Sequence, residues 1–175
     1  MIAYDFVSSA QQALDELQTE VVVLPFFSDE RPLNGAAGLI DWRLCGALSR
    51  KLMAGYLDGA FGEKALLTTA GNLRSDALLL FGLGESTAFD SEVAGKACVL
   101  IAETLREAKV STAGLALPGR SMALLPALEA MQHWLASSPN DSELEELSII
   151  ELAVEHRALD SLFDGLRRQA ESPLD

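Results

Sequence analysis

The sequence has few of the residues that bind transition metals or form disulfide frameworks. Its 175 residues include two cysteines, Cys45 and Cys98, and two histidines, His133 and His156. A structural zinc site takes four thiolate or imidazole ligands, and these residues show neither H-E-x-x-H nor C-x-x-C spacing. Each cysteine lies among apolar residues at helical spacing, so we expect both to be buried, reduced thiols with a packing role. The sequence predicts no metal and no cofactor.

Long hydrophobic runs and basic charge are also scarce. The strongest apolar run, residues 77–83, has the length of a strand and not the roughly 20 residues that span a bilayer. The N-terminus lacks a basic region followed by an apolar stretch and a small-residue cleavage site. Acidic residues outnumber basic ones by 26 to 13, and the net charge of −13 opposes binding to nucleic acid or anionic lipid. We therefore expect a cytoplasmic protein with no nucleic-acid or membrane partner.

Motifs of nucleophilic catalysis are absent as well. No G-x-S-x-G elbow occurs, and both histidines fall in or beside late amphipathic helices. His133 is expected to be a partly exposed helix residue. On this basis we expect no catalytic residues, and the chain is not predicted to be an enzyme.

Two glycine-containing loops come near to phosphate-binding patterns. The first contains Asn34, Gly35 and Gly38 and leads from a predicted strand into a helix; the second contains Gly82 and Gly84 and follows another strand. Neither has the spacing of a P-loop or a dinucleotide fingerprint, and tight turns explain the glycines equally simply. These five residues are the candidate ligand-binding residues.

The patterns that are present indicate an α/β fold in a single domain of residues 1–175. Short runs of branched apolar residues alternate with segments of 3.6-residue periodicity, which is typical of strands joined by crossover helices. A hairpin between two of the strands predicts a mixed, mostly parallel sheet. The predicted strands are 2–7, 21–27, 64–69, 77–83, 112–117 and 145–152, and the predicted helices are 10–17, 36–53, 91–109, a segment from about 125 to 135, and a final one around 159–166. In the predicted helix 36–53, the solvent-facing positions include Asp41, Arg43, Arg50 and Lys51.

The serial order of four segments resembles a known family. They are VVVLP at 21–25, LIDWRLCGAL at 39–48, KALLTT at 64–69 and LLLFGLG at 78–84. This order is similar to that of the N-terminal domain of the leucine aminopeptidase (cytosol aminopeptidase) family, whose helix carries an L-D-x-x-x-G-x-L-like pattern. Leu39 stands two residues before Asp41, and Gly46 and Leu48 take the later positions. The resemblance covers residues 20–168, between an N-terminal strand and short helix at 1–20 and a polar tail at 169–175, and implies a three-layer α/β/α macro-like fold.

The resemblance carries no catalytic residue into this chain. Family catalysis resides in a separate C-terminal domain with an N-T-D-A-E-G-R-type segment, which this sequence lacks. The implied function is that of a non-catalytic, stand-alone relative that associates with itself or with another protein, such as a full-length aminopeptidase. One alternative is a macro-like module that binds ADP-ribose or a nucleotide-like small molecule. Metal-dependent aminopeptidase activity is a third interpretation. The helical residues Trp42 and Trp134 are expected either at an interface or in the core.

Overall fold

Six strands form one mixed sheet in the computed structural model, which describes residues 2–137 and 143–171. The strands are β1 (Ala3–Ser8), β2 (Val21–Phe26), β3 (Lys64–Thr68), β4 (Ala77–Gly82), β5 (Thr112–Ala116) and β6 (Glu146–Glu151). They are arranged in the order β1-β6-β5-β2-β4-β3. Neighbouring strands run parallel, apart from the antiparallel hairpin pair β3 and β4. The predicted mixed, mostly parallel sheet is confirmed.

Helices cover both faces of the sheet. They are α1 (Gln11–Glu16), α2 (Gly35–Arg43), α3 (Ala47–Met53), α4 (Ser91–Glu107), α5 (Ala127–Ser137) and α6 (Ala153–Glu171). One hydrophobic cluster packs the sheet against α4, α5 and α6, and a second packs its other face against α1, α2 and α3. The predicted three-layer α/β/α architecture is therefore correct. The predicted tail at 169–175 lies partly outside the described residues.

The central strands β2 and β4 are apolar along their length because helices cover both sides of them. Val23 of β2 belongs to the cluster under α4–α6, whereas Val22 and Leu24 belong to the cluster under α1–α3. Continuous apolar runs of this kind are typical of parallel strands buried on both faces. The edge strand β3 alternates between half-buried and exposed residues instead.

The single helix predicted at 36–53 is wrong, because the chain breaks it into α2 and α3. Cys45 and Gly46 between the two helices have positive φ angles of 54° and 79°, which end the first helix. The break leaves backbone N–H groups of α3 without intrahelical partners. The Asp41 carboxylate accepts hydrogen bonds from Leu48 N at 2.8 Å and Ser49 N at 3.1 Å. Asp41 is consequently buried, contrary to its predicted exposure.

The prediction of two buried cysteines is correct for one of them. Cys45 is exposed because it lies in the connection between α2 and α3, whereas Cys98 is buried as expected. Burial raises the pKa of the Cys98 thiol to about 12, so this thiol stays protonated at neutral pH. The two tryptophans differ in burial: Trp134 is buried in the core, whereas Trp42 is exposed.

We expect Asp41→Ala to lower the free energy of unfolding by about 1–3 kcal/mol, because it leaves two N–H groups at the start of α3 without their acceptor. Urea unfolding at neutral pH measures this change. Asp160→Ala, on the exposed side of α6, is the matched control and should change stability by less than about 0.5 kcal/mol. Equal effects of the two substitutions would contradict the capping role.

Candidate functional site

The carboxyl ends of the parallel strands meet at one edge of the sheet. Doubly wound sheets bind ligands in the crevice at this edge, at the point where successive connections leave in opposite directions. Here that point lies between β2 and β5, because the chain continues from β2 to β3 and β4 on one side and returns to β5 on the other. This edge is therefore where a ligand site is expected.

A buried carboxylate joins three segments of the chain at this point. Glu30, in the loop after β2, is only 1% exposed. It accepts hydrogen bonds from Phe27 N at 3.0 Å, Asn34 N at 2.9 Å and the Ser121 hydroxyl at 3.0 Å. Glu30 thus connects the β2 loop, the start of α2 and the loop after β5 through its own side chain.

A second buried carboxylate closes the neighbouring position between β5 and β6. Glu151, the last residue of β6, pairs with Arg120 from the β5 loop through Nε–Oε2 and Nη2–Oε1 distances of 2.7 and 3.1 Å. Arg120 also donates to the Leu125 carbonyl at 2.6 Å, and Glu151 accepts from Leu152 N at 2.8 Å. The hydrogen bond from Arg120 to Glu151 raises the pKa of the guanidinium. Both charges are largely withdrawn from water.

The loops after β2 and β4 are joined in the same way. Asp29 accepts from Ser86 N at 2.8 Å and from the Ser86 hydroxyl at 2.5 Å. The hydrogen bond from the Ser86 hydroxyl, and to a smaller extent the one from the Ser86 backbone N–H, lower the pKa of Asp29. Ser28 N in turn donates to the Gly84 carbonyl at 2.9 Å. The polar groups of these loops therefore bind one another.

Aromatic side chains fill part of the same edge. Phe89, which follows β4, packs edge-on against Phe27 at a centroid distance of 5.0 Å. Its ring also approaches Gly119, where an added Cβ would lie 2.6 Å from Phe89 Cε1. Gly119 has a φ of +83°, so a glycine is favoured here both by the backbone and by the contact.

Carboxylates of the chain also lie at the helix N-termini of this edge. Glu30 accepts from Asn34 N at the start of α2, Asp90 caps α4 by accepting from Val93 N at 2.9 Å, and Glu151 lies beside the start of α6. Helix N-termini are the usual binding positions for phosphates because their N–H groups and dipoles attract anions. In this chain those positions carry negative charge already, which opposes an anionic ligand.

The predicted ligand-binding residues belong to separate contacts. Asn34 and Gly35 lie near Glu30 and Ser121, since a Cβ on Gly35 would be 3.3 Å from Ser121 Cα. Gly38 lies on α2, where a Cβ would come within 2.4 Å of the Leu33 carbonyl oxygen. These contacts are with the chain's own backbone.

Gly82 and Gly84 contact the segment that precedes β3. A Cβ on Gly82 would lie 2.1 Å from the Ala60 carbonyl oxygen, and Gly84 N donates to the Gly59 carbonyl at 2.8 Å. The structure therefore places Gly82 and Gly84 against residues 59–62 and Asn34 and Gly35 against the β5 loop. Close backbone packing favours glycine at positions 38 and 82, and φ angles of +56° and +78° favour it at Gly35 and Gly84.

Sequence reasoning missed the residues that dominate this edge, which are Glu30, Asp29, Arg120 and Glu151. Each follows or ends a parallel strand, and charged residues at such positions are a signal that could have identified them. The acidic members were instead counted within the general surface charge, because a single sequence gives no indication that Glu30 and Ser121 meet across 91 residues.

Two classes of site are absent from the described part of the chain. Within residues 2–137 and 143–171, no three His, Cys, Asp or Glu side chains are grouped so that they could hold a metal ion. None of the helices described is long and apolar enough to cross a membrane.

Comparison with solved structures defines the class of fold. The chain is similar to the Trypanosoma brucei macrodomain, with a TM-score of 0.68 and 15% identity over 86% of this chain and 63% of that one. It is also similar to the Oceanobacillus iheyensis macrodomain with ADP, with a TM-score of 0.65 and 14% identity over 89% and 88% of the two chains. A tomato leucine aminopeptidase mutant gives a TM-score of 0.62 and 18% identity, over 87% of this chain and 33% of that one. The fold is that of a macro-like α/β domain.

Sequence comparison gives the family. Residues 22–133 match the model of the cytosol aminopeptidase family, N-terminal domain. A probable cytosol aminopeptidase from Synechocystis is 31% identical over 59% of this chain and 21% of its own length, and one from Paraburkholderia xenovorans is 28% identical over 75% and 25%. The chain belongs to the cytosol aminopeptidase family through this N-terminal domain, as the resemblance implied. It spans about a quarter or less of the curated relatives.

We expect Arg120→Ala to reduce the free energy of unfolding by about 3–5 kcal/mol, because it leaves the buried Glu151 carboxylate without its cation. Chemical denaturation measures the loss. Replacing both partners, as in Arg120→Met with Glu151→Leu, should cost less than the single change, and exposed Arg157→Ala serves as the control. A loss below about 1 kcal/mol for Arg120→Ala would show that the pair does not hold this edge together.

Proposed function

We propose that this chain is a non-catalytic association domain that acts by binding protein, either a second copy of itself or another protein such as a full-length aminopeptidase. The observation that carries the proposal is the carboxyl edge of the sheet, where the chain's own carboxylates and Phe89 contact other groups of the chain at the position in which doubly wound sheets take a ligand. Surface recognition then remains as the principal activity open to the domain. We place this activity in the cytoplasm, in keeping with the family.

Exposed apolar side chains support surface recognition. Trp42, Met53 and Tyr56 are 73%, 81% and 76% exposed, and all three lie within or just after the pair of helices α2 and α3. Single exposed apolar residues are ordinary, but aromatic residues and methionine are enriched in protein interfaces. An exposed tryptophan supplies a large contact area to a partner.

The expected outcome of an association experiment is a complex whose amount depends on concentration. Sedimentation velocity of the purified chain, together with pull-down from lysate of the source organism using the tagged chain, tests self-association and association with another protein in parallel. A parallel pull-down with the tag alone identifies proteins that bind the tag and not the chain. A chain that stays monomeric at high concentration and retains no specific partner would refute the proposal.

The similarity to a macrodomain solved with ADP raises nucleotide binding as a second candidate function, which the charges at this edge oppose. We expect no binding, because a diphosphate at this edge would meet the carboxylates of Glu30, Asp90 and Glu151. A ligand at 100 times its dissociation constant raises stability by about 2.7 kcal/mol, which a thermal shift detects easily. We predict an unchanged melting temperature with millimolar ADP or ADP-ribose, with an ADP-binding macrodomain as the positive control. A clear rise would favour the nucleotide-binding function.

A further inference from the structure

We propose that a second copy of this chain binds the outer edge of β3, in a twofold dimer in which the two β3 strands pair antiparallel and one sheet runs through both copies. This inference rests on the proposed function, because it names the partner and the surface of the association. It is carried by the free backbone groups of β3, by its exposed side chains and by the way its sequence complements itself.

The backbone of β3 uses only alternate residues to bind the rest of the sheet. β3 is the last strand of the sheet and pairs antiparallel with β4. In such a ladder, alternate residues direct both their N–H and their C=O groups to the neighbouring strand. Odd-numbered residues do so here, since Gly82 N donates to the Glu63 carbonyl at 2.8 Å and Thr69 N donates to the Asp76 carbonyl at 3.1 Å. The even-numbered residues of β3 therefore direct their backbone groups outward.

These outward groups are free. In the part of the chain that the structure describes, the backbone N–H and C=O groups of Lys64, Leu66 and Thr68 have no hydrogen-bond partner. All three residues are exposed. A row of unpaired N–H and C=O groups on an edge strand is a template for pairing with another strand.

The side chains of β3 leave this edge accessible. A lysine on an edge strand commonly prevents pairing with another chain. Lys64, however, directs its Nζ atom toward α4, where it donates to the Thr104 hydroxyl at 3.1 Å. At the centre of the strand, Leu66 is 69% exposed. The middle of the edge is thus apolar, and the charge at its end is turned toward a helix of the same copy.

The opposite edge of the sheet, β1, is less open. Its Tyr4 and Phe6 pack against Phe163 of α6, with ring centroid distances of 4.9 and 5.8 Å. Both β1 residues are half-buried, whereas Leu66 is exposed. An added strand therefore reaches β3 more easily than β1. Pairing of β3 with itself about a twofold axis is a closed contact, so it stops at two copies.

The sequence of β3 complements itself when the two strands are centred on Leu66. Leu66 of one copy then faces Leu66 of the other, Lys64 faces Thr68, and Ala65 faces Leu67. Every outward N–H and C=O group of β3 gains a partner in this register, and no like charges face each other. Centring the strands on Lys64 would instead place two lysines opposite each other, which destabilises a pair of strands.

This register also continues the apolar packing on both faces of the sheet. Ala65 and Leu67 pack on the hydrophobic cluster under α1–α3. Leu66 is on the other face, in register with Leu79 of the cluster under α4–α6. A strand of unrelated sequence would satisfy the backbone groups but would supply these side-chain contacts only by chance. The side chains therefore favour a second copy as the occupant.

The net charge of −13 on each copy opposes the dimer at long range. At physiological ionic strength, charges more than about 8 Å apart are largely screened, whereas the hydrogen bonds and apolar contacts of β3 act at contact distance. We therefore expect the Kd of the dimer to fall as the ionic strength rises from about 0.01 to about 0.15 M. A Kd that rises with salt would indicate an interface held by opposite charges and would contradict the β3 pairing.

Two substitutions of Leu66 test the register. Leu66→Lys and Leu66→Glu each place like charges opposite one another across the twofold axis, so each variant alone should weaken dimerisation by about tenfold or more in Kd. An equimolar mixture of the two should regain it, because the facing residues then carry opposite charges. Light scattering measures the mass, which should rise from 18.7 kDa toward twice that value for the original chain and for the mixture.

Leu152→Lys and Leu152→Glu are the matched controls. Leu152 is 51% exposed and lies between β6 and α6, so the same changes of charge there should leave dimerisation as in the original chain. Leu66→Pro removes an outward N–H group and no hydrogen bond to β4, and it should also weaken the dimer.

Amide hydrogen exchange should give a signature that alternates along the strand. On dimerisation, exchange should slow at Lys64, Leu66 and Thr68, whose N–H groups gain partners. It should change much less at Ala65 and Leu67, whose N–H groups face β4 already. Unchanged exchange at the three outward positions in a dimeric sample would overturn pairing through β3.

The mixture and the pull-down together separate this inference from the proposed function. Leu66→Lys and Leu66→Glu variants that are folded by circular dichroism and do not pair when mixed overturn the β3 dimer, and so does a chain that is monomeric at every concentration. If that monomeric chain still captures another protein specifically, the association function stands and the second copy is the wrong partner. If it captures none, both fail.

Discussion

The loops at the carboxyl ends of the parallel strands are held together by the hydrogen bonds that the buried Glu30 side chain accepts. It is buried, so it requires hydrogen-bond donors, and it takes them from the loop after β2, the start of α2 and the loop after β5. The two loops on either side of the topological switch point are consequently joined by one side chain. The Arg120–Glu151 pair and the Asp29–Ser86 contact extend the same principle to β6 and β4. An edge that remains an open crevice in many doubly wound sheets is here bound together by internal polar contacts.

Negative charge at this edge has a second consequence, because it removes the usual attraction of helix N-termini for phosphate. Asp90 caps α4, and Glu30 and Glu151 lie at the starts of α2 and α6. Similarity to macrodomains therefore establishes the architecture of the chain, while the side chains at the switch point determine whether a nucleotide is compatible with it. In this chain those side chains include carboxylates at the helix N-termini, which oppose an anionic ligand.

Strands were predicted more accurately from the sequence than the junction between α2 and α3. The central strands β2 and β4 are continuous apolar runs, and burial on both faces leaves them few alternatives. The break at Cys45 and Gly46 could not be read from the periodicity, because Ile40, Leu48 and Leu52 stay on the buried side through both helices. The burial of Asp41 follows from that break. The contacts of Glu30 and Arg120 are formed between residues 91 and 31 positions apart, and local patterns carry no information on such pairs.

The two helix layers differ in a way that bears on association. The helices α4, α5 and α6 are long and pack apolar residues against one face of the sheet. The helices α1, α2 and α3 are shorter and leave part of β1 and β6 uncovered on the other face. Short helices bury less of the sheet, so polar and aromatic groups remain accessible on that side. On this layer Arg43, at the end of α2, forms an ion pair with Asp15 of α1 at 3.2 Å. The same shortness that makes this layer an incomplete cover for the sheet leaves Trp42, Met53 and Tyr56 exposed, and these are the side chains that the proposed association would use.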